Sequence, residues 1–316
     1  MAKKISQKVN TPIKNFVDKP ILNVSIETKI NVFGLASGIA GKIYGAELGV
    51  WDLYYSLPRI SSKFYLKKIY HHNVVANKLN AVPILEQFFI DPFIDIEYFT
   101  IKNILASYNK YLFLTGDHFN AVAVWASLQN AIKEDIGLIW IDAHLDSHTT
   151  ETSESNDLHG MPIATLMGKN KLEKFNLLIK HPLKPENICF IGTRDYEQEE
   201  LDFLNSLGVK IFFMKDIKKN NITDIFKEAV DIVTKSTVRF GVSFDIDSLD
   251  PIYAPATGCF TPKGLDPEML YNCLETLGKH PCFIGLEITE FNPLLDEKRK
   301  TFEVIKKLIT NTFNIK

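Results

Sequence analysis

Four cysteines in 316 residues is a low count, and no two of Cys189, Cys259, Cys273 and Cys282 form a CxxC pair. They read as reduced, mostly buried thiols, which favours a reducing compartment. No apolar run approaches the roughly 20 residues needed to span a bilayer. The basic opening stretch, MAKKISQKVNTPIKNFVDKP, leads into no apolar segment of the secretory kind. A soluble, cytoplasmic protein without membrane contact is expected. Charge of one sign is also lacking: 36 Lys and Arg against 38 Asp and Glu leave a formal −2. Nothing therefore favours a nucleic acid as partner. Gly34, Gly38, Gly41, Gly45 and Gly49 are closely spaced, yet they form no GxGxxG, so the dinucleotide fingerprint is absent.

What is present is enough apolar residue, 46%, for a large core. Short apolar runs at 30–35, 111–115, 136–141, 188–192, 209–214, 238–244 and 282–288 read as strands. Helical patterns fall at 96–109, 119–131, 161–167, 197–207, 222–234, 266–277 and 296–312. This alternation predicts an α/β three-layer sandwich, with a mostly parallel central sheet of about eight strands and helices on both faces. Residues 1–28 read as a polar lead-in and 29–316 as a single domain. The glycine-bearing segment 34–53 reads as a flexible loop leading into a helix, and 56–95 has no clear pattern. His71 and His72 are taken as ordinary surface or interface residues, and His181 and His280 as solvated loop residues.

Three strands run into metal-ligand chemistry. After 136–141, Asp142, His144, Asp146 and His148 recur at every second position. In an extended segment alternate side chains share a side, so these four are expected to point to one place. The 238–244 strand ends in Asp245 and Asp247, and the 111–115 strand in Gly116, Asp117 and His118. In parallel α/β sheets, sites form at the carboxyl ends of strands. Carboxylate and imidazole together suit Mn, Fe or Zn. Four carboxylates crowded together repel, and two divalent ions would offset them.

The motifs GDH (116–118), DAHLDSHT (142–149), TSESNDLHGMP (152–162), IGTRDYE (191–197), SFDIDSLDPIYAPATG (243–258) and GLEITEFNP (285–293) occur in this order. On these motifs the chain resembles the arginases of the ureohydrolase family, over nearly all of 30–310. The resemblance implies an arginase-like fold and two Mn²⁺ per subunit, with Co²⁺ or Fe²⁺ as possible substitutes. It implies His118, Asp142, Asp146 and Asp245 around one ion, and Asp142, His144, Asp245 and Asp247 around the other. The implied reaction is attack of a metal-bridging hydroxide on a guanidinium carbon, with L-arginine giving L-ornithine and urea. Asp146 would relay the hydroxide proton, His159 would shuttle a proton to the leaving amine, and Glu290 would pair with the guanidinium. His148, Ser153, Ser155, Asp157 and Glu197 would meet the amino-acid end of the small-molecule substrate. Relatives of this kind form homo-oligomers, commonly trimers or hexamers.

The chain also departs from the usual arginase pattern. His148 stands in place of Asn, Phe119 in place of Ser, Thr115 in place of the first Gly of GGDH, and Asp157 in place of Asn. Cys259 stands where Thr normally follows PATG, and Glu197 is one methylene longer than the usual Asp. The alternatives are an agmatinase or another guanidino-acid ureohydrolase, and, from a different class, a weakly active or non-catalytic metal-binding relative.

Overall fold

A computed structural model of the protein describes residues 29–72, 81–103 and 109–315. The predicted lead-in 1–28, and the 104–108 part of the helical pattern at 96–109, lie outside the described residues. The strands are β1 (Lys29–Ala36), β2 (Phe64–His71), β3 (Asn109–Thr115), β4 (Ile136–Ile141), β5 (Ile188–Thr193), β6 (Lys210–Phe213), β7 (Arg239–Asp245) and β8 (Phe283–Thr289). They form one parallel sheet in the order β2-β1-β3-β8-β7-β4-β5-β6. The helices are α1 (Ala46–Ile60), α2 (Ala81–Asn103), α3 (Ala121–Ile132), α4 (Pro162–Leu166), α5 (Glu173–Leu178), α6 (Gln198–Ser206), α7 (Met214–Ile217), α8 (Ile222–Val233), α9 (Pro267–Lys279) and α10 (Lys300–Thr312).

Strand residues divide between the two faces by alternation. Leu112 and Leu114 of β3, with Ile139 and Ile141 of β4, join one apolar cluster, which α1, α8, α9 and α10 cover. Tyr111 and Phe113, with Leu138 and Trp140, join the other, beneath α2, α3 and α4. The central strands are apolar on both faces, as a sheet buried on both sides requires.

The sequence reading missed β2 and most of α2, and it expected a helix out of the 34–53 segment without giving its bounds, where α1 begins at Ala46. Only Phe64 and Tyr70 of β2 are buried, because β2 is an edge strand whose remaining residues include exposed Lys67 and Lys68. An edge strand of that kind has little apolar alternation to read. The last helix starts later than expected, at Lys300. The Asp296 carboxylate caps it, accepting from the Thr301 N–H at 2.8 Å and the Phe302 N–H at 2.9 Å. His72 is not an ordinary surface residue, since its Nε2 lies 2.9 Å from Ser37 Oγ and its ring meets Phe88. His280 is half-buried, packs on Phe240 and accepts the Cys282 N–H through Nδ1.

Strand order determines where a site can form. β3, β8, β7 and β4 are neighbours at the centre of the sheet, although the chain reaches them in the order β3, β4, β7, β8. Four remote stretches of sequence therefore end side by side, at the carboxyl edge where ligands bind in such sheets.

Candidate metal centre and substrate cavity

β3 ends in a tight crossing. A Cβ on Gly116 would lie 1.9 Å from the Ser37 carbonyl oxygen, so only glycine fits there. Past it, buried Asp117 accepts from the Ala40 and Phe119 N–H groups, which folds the turn that delivers His118. Burial, then the Glu290 charge, pushes the Asp117 carboxyl up to about 8. Phe119 points away from the site. It is fully buried, stacked on Phe89 at 5.9 Å and edge-on to Phe175 at 5.3 Å.

His118 is the pivot of the cluster. Its Nδ1 lies 3.1 Å from Asp142, 2.9 Å from Asp146 and 3.1 Å from Asp245. No carboxylate oxygen meets this buried nitrogen along a hydrogen-bond direction. The other nitrogen, Nε2, lies 2.9 Å from Ser243 Oγ, and that hydroxyl donates to buried Glu287 at 2.8 Å. Having given its one proton to Glu287, Ser243 accepts from Nε2–H, which turns Nδ1 toward the carboxylates. Trp140 stacks on the His118 ring at 4.0 Å and donates through Nε1 to Asp142 at 2.9 Å. A histidine nitrogen held this way among carboxylates fits a metal ligand with its supporting shell.

The remaining donors surround the same point. His144 Nδ1 lies 3.1 Å from Asp247 and 3.4 Å from Asp142, and its Nε2 lies 3.8 Å from Asp195. Asp245 accepts the Asp247 N–H at 2.8 Å, and Asp142 accepts the His144 N–H at 2.8 Å. Burial, then the Asp142 charge, pushes Asp146 up to about 7. Burial, then Asp247 and Asp142, raises Asp245 well above the carboxylate range. Burial opposes charge on Asp142 as well, but His118 and His144 hold it below its ordinary value. Four mutually repelling carboxylates with two imidazoles suit two divalent cations of the Mn, Fe, Co or Zn kind.

The alternating pattern after β4 does not behave as a plain extended strand. Residues 142–148 form a loop, and Asp146 has φ 47°, in the left-handed region that Asp tolerates better than most residues. His148 accordingly leaves the set. Its Nε2 faces Glu197 at 3.2 Å and Glu200 at 3.6 Å, and its Nδ1 pairs with Thr152 Oγ1 at 3.0 Å.

A cavity of about 360 Å³ opens over the cluster. His144, Asp146, Asp245, Asp247, His159 and Glu290 line it, together with His148, Ser153, Ser155, Asp157 and Glu197, the residues expected to meet the substrate's amino-acid end. His118 and Asp142 are buried behind this lining. Glu290 also has a left-handed backbone, φ 63°, and accepts the His118 N–H at 2.9 Å. His159 Nδ1 is 3.4 Å from the same Glu290 oxygen. Burial disfavours the imidazolium, but Glu290 outweighs it and His159 is pushed up to about 9. Two strained carboxylate backbones at one cavity are the kind of feature that functional sites retain.

The sequence reading missed Glu200, Glu287, Asp195, Lys42 and Arg194. Glu200 is buried and accepts the Ser147 N–H at 3.0 Å and the Glu197 N–H at 3.1 Å. Its only sequence signal, an acid three residues into α6, reads as a helix cap. Lys42 and Asp195 line the cavity from exposed positions. Arg194 donates to the carbonyls of Asp247 at 2.7 Å, Ser248 at 3.1 Å, Thr261 at 2.6 Å and Pro262 at 3.1 Å. One guanidinium thus ties the turn after β7 to the loop carrying Cys259.

The arginase family model matches residues 52–314. The arginase of Staphylococcus aureus (strain COL) is 33% identical over 227 residues, 71% of this chain and 74% of that protein. The solved arginase of Bacillus caldovelox superposes with a TM-score of 0.80 at 26% identity, over 92% of this chain and 99% of that one. A formimidoylglutamase of Bacillus subtilis has the same fold at TM-score 0.75 and 17% identity, over 91% and 87%.

Proposed function

The chain belongs to the arginase family of amidinohydrolases, and from that premise we propose that it hydrolyses L-arginine to L-ornithine and urea with two Mn²⁺ per subunit. The observation that carries the substrate reading is the chemistry of the cavity lining. Glu290, which accepts the His118 N–H, lines the cavity with Asp146, Asp245 and Asp247, while His148 and the Ser153 and Ser155 hydroxyls line it with Glu197 and Glu200. Arginine has a matching form, a planar cation at one end and an ammonium with a carboxylate at the other. A carboxylate reads a guanidinium with direction as well as charge, whereas fold alone does not choose among guanidino substrates.

His118, Asp142, Asp146 and Asp245 would hold one cation, and Asp142, His144, Asp245 and Asp247 the other. Co²⁺ or Fe²⁺ would suit the same donors. When bound, the two ions supply charge compensation and a water acidic enough to attack near neutral pH. Glu290 orients the guanidinium carbon toward that water. Asp146, at the cavity wall, takes up the proton of the attacking water. His159, with its proton held by Glu290, delivers a proton to the departing amine, without which the C–N bond does not break. Asp157 lines the serine loop and adds an acceptor on the ammonium side. We further propose a homo-oligomer, trimeric or hexameric, in a reducing cytoplasm. The four cysteines are all free thiols, which supports the reducing setting.

Urea release from L-arginine and from agmatine, measured side by side after Mn²⁺ loading, tests this reading. Activity on arginine is the expected result. Activity on agmatine alone makes the protein an agmatinase, and urea release that survives Asp146→Asn unchanged does not come from this site.

A further inference from the structure

Cys259 is a departure from the family pattern that falls inside the donor cluster. Its Sγ, a His144 ring nitrogen and an Asp247 carboxylate oxygen all lie within 4.8 Å of one another. The thiol is half-buried and lines the cavity. Its position is imposed by the chain on both sides. Arg194 donates from one Nη2 to Thr261 O at 2.6 Å and to Asp247 O at 2.7 Å, so the loop bearing Cys259 and the turn bearing Asp247 share a clamp. On the other side, the Ala256 carbonyl accepts the Asn292 N–H at 3.0 Å and the Ala256 N–H donates to Thr301 Oγ1 at 3.1 Å.

We propose that Cys259 supplies a sulfur donor to the metal position formed by His144 and Asp247, and that this biases the position toward thiophilic divalent ions such as Co²⁺, Zn²⁺ or Fe²⁺ over Mn²⁺. The inference rests on the two-metal reading of the site. A soft sulfur beside imidazole and carboxylate selects against a metal that prefers all-oxygen surroundings. A hydroxyl at the same place exerts no such preference. Coordination replaces the S–H bond with a metal–sulfur bond and the proton leaves to solvent, so no oxidant or reductant is required.

The full chain, stripped with chelator and titrated with Co²⁺, provides the test. The expected result is a near-ultraviolet sulfur-to-cobalt charge-transfer band that saturates with one of two bound equivalents. It should vanish in Cys259→Ser and Cys259→Thr, and persist in Cys282→Ser. Cys259→Thr is also expected to lower the Zn²⁺-over-Mn²⁺ binding preference about tenfold, the lower end of what shell changes around a metal produce. Two equivalents of cobalt bound without the band overturn the sulfur ligand and leave the two-metal reading standing. No cobalt bound overturns both. The wild-type spectrum alone is decisive if the variants fail to fold.

Discussion

Phe119 and His159 show how differently two residues near the same cavity respond to substitution. Phe119 replaces a serine usual in arginases, which raises the question of whether it impairs turnover. Its ring is fully buried between Phe89 and Phe175 rather than in the cavity. Phe119→Ser should therefore act on stability. It removes a core aromatic, which costs about 3–5 kcal/mol, and urea unfolding should register that loss while KM for the substrate stays within twofold. His159 should respond to pH. Its folded value of about 9 lies above the ordinary 6.5 because of Glu290. A raised histidine contributes stability fully below its unfolded pKa and loses it as pH rises through the folded value. Thermal melts from pH 6 to pH 9.5 should show wild type losing its advantage over His159→Gln across that window, and parallel curves would count against the pair.

At the scale of elements, the site depends on how strand ends are tied. Arg194 begins the turn after β5 and reaches carbonyls on the turn after β7 and on the 259–262 loop. Lysine keeps the charge but has no fork to reach several acceptors at once. Arg194→Lys should destabilise the protein by about 2–4 kcal/mol, since hydrogen bonds to charged groups are worth roughly 1.5–3 kcal/mol each and only part is lost. Divalent-metal affinity should fall as well, because Asp247 sits on the released turn. Calorimetric unfolding with metal titration checks both, and unchanged metal affinity would mean that the turn holds itself.

Across the whole molecule, the opposing charges at the centre link metal binding to folding. Asp142 and Asp146 after β4, and Asp245 and Asp247 at the end of β7, are buried together from two separate strand ends. A cation that binds only the folded chain adds about 2.7 kcal/mol of stability at one hundred times its dissociation constant. Chelation should lower Tm and re-addition of Mn²⁺ should restore it, with the Tm shift growing with free metal concentration. A Tm indifferent to chelator would remove the cluster from any metal role. Among the described residues no helix is long and apolar enough to cross a membrane.

The sequence by itself determined the layered α/β class, the positions of the central strands and the identity of the carboxylate and imidazole cluster. These were legible because a buried parallel strand is a short, nearly unbroken apolar run, and because the clustered carboxylates and imidazoles follow such runs within a few residues. The edge strand β2 and most of α2 were not legible, since β2 buries only Phe64 and Tyr70, and α2 exposes Ile90, Ile94, Tyr98 and Ile101 as well as burying an apolar face, which blurs its periodicity. Only the tertiary structure decided which residues meet. The non-sequential order β3-β8-β7-β4 brings His118, Glu290, Asp245 and Asp142 to one edge. Past the left-handed backbone at Asp146, His148 stands apart from the carboxylate–imidazole cluster and faces Glu197 and Glu200. The Arg194 clamp brings Cys259 beside Asp247. Each of these is a contact between stretches far apart in the chain, and local pattern contains no record of such distances.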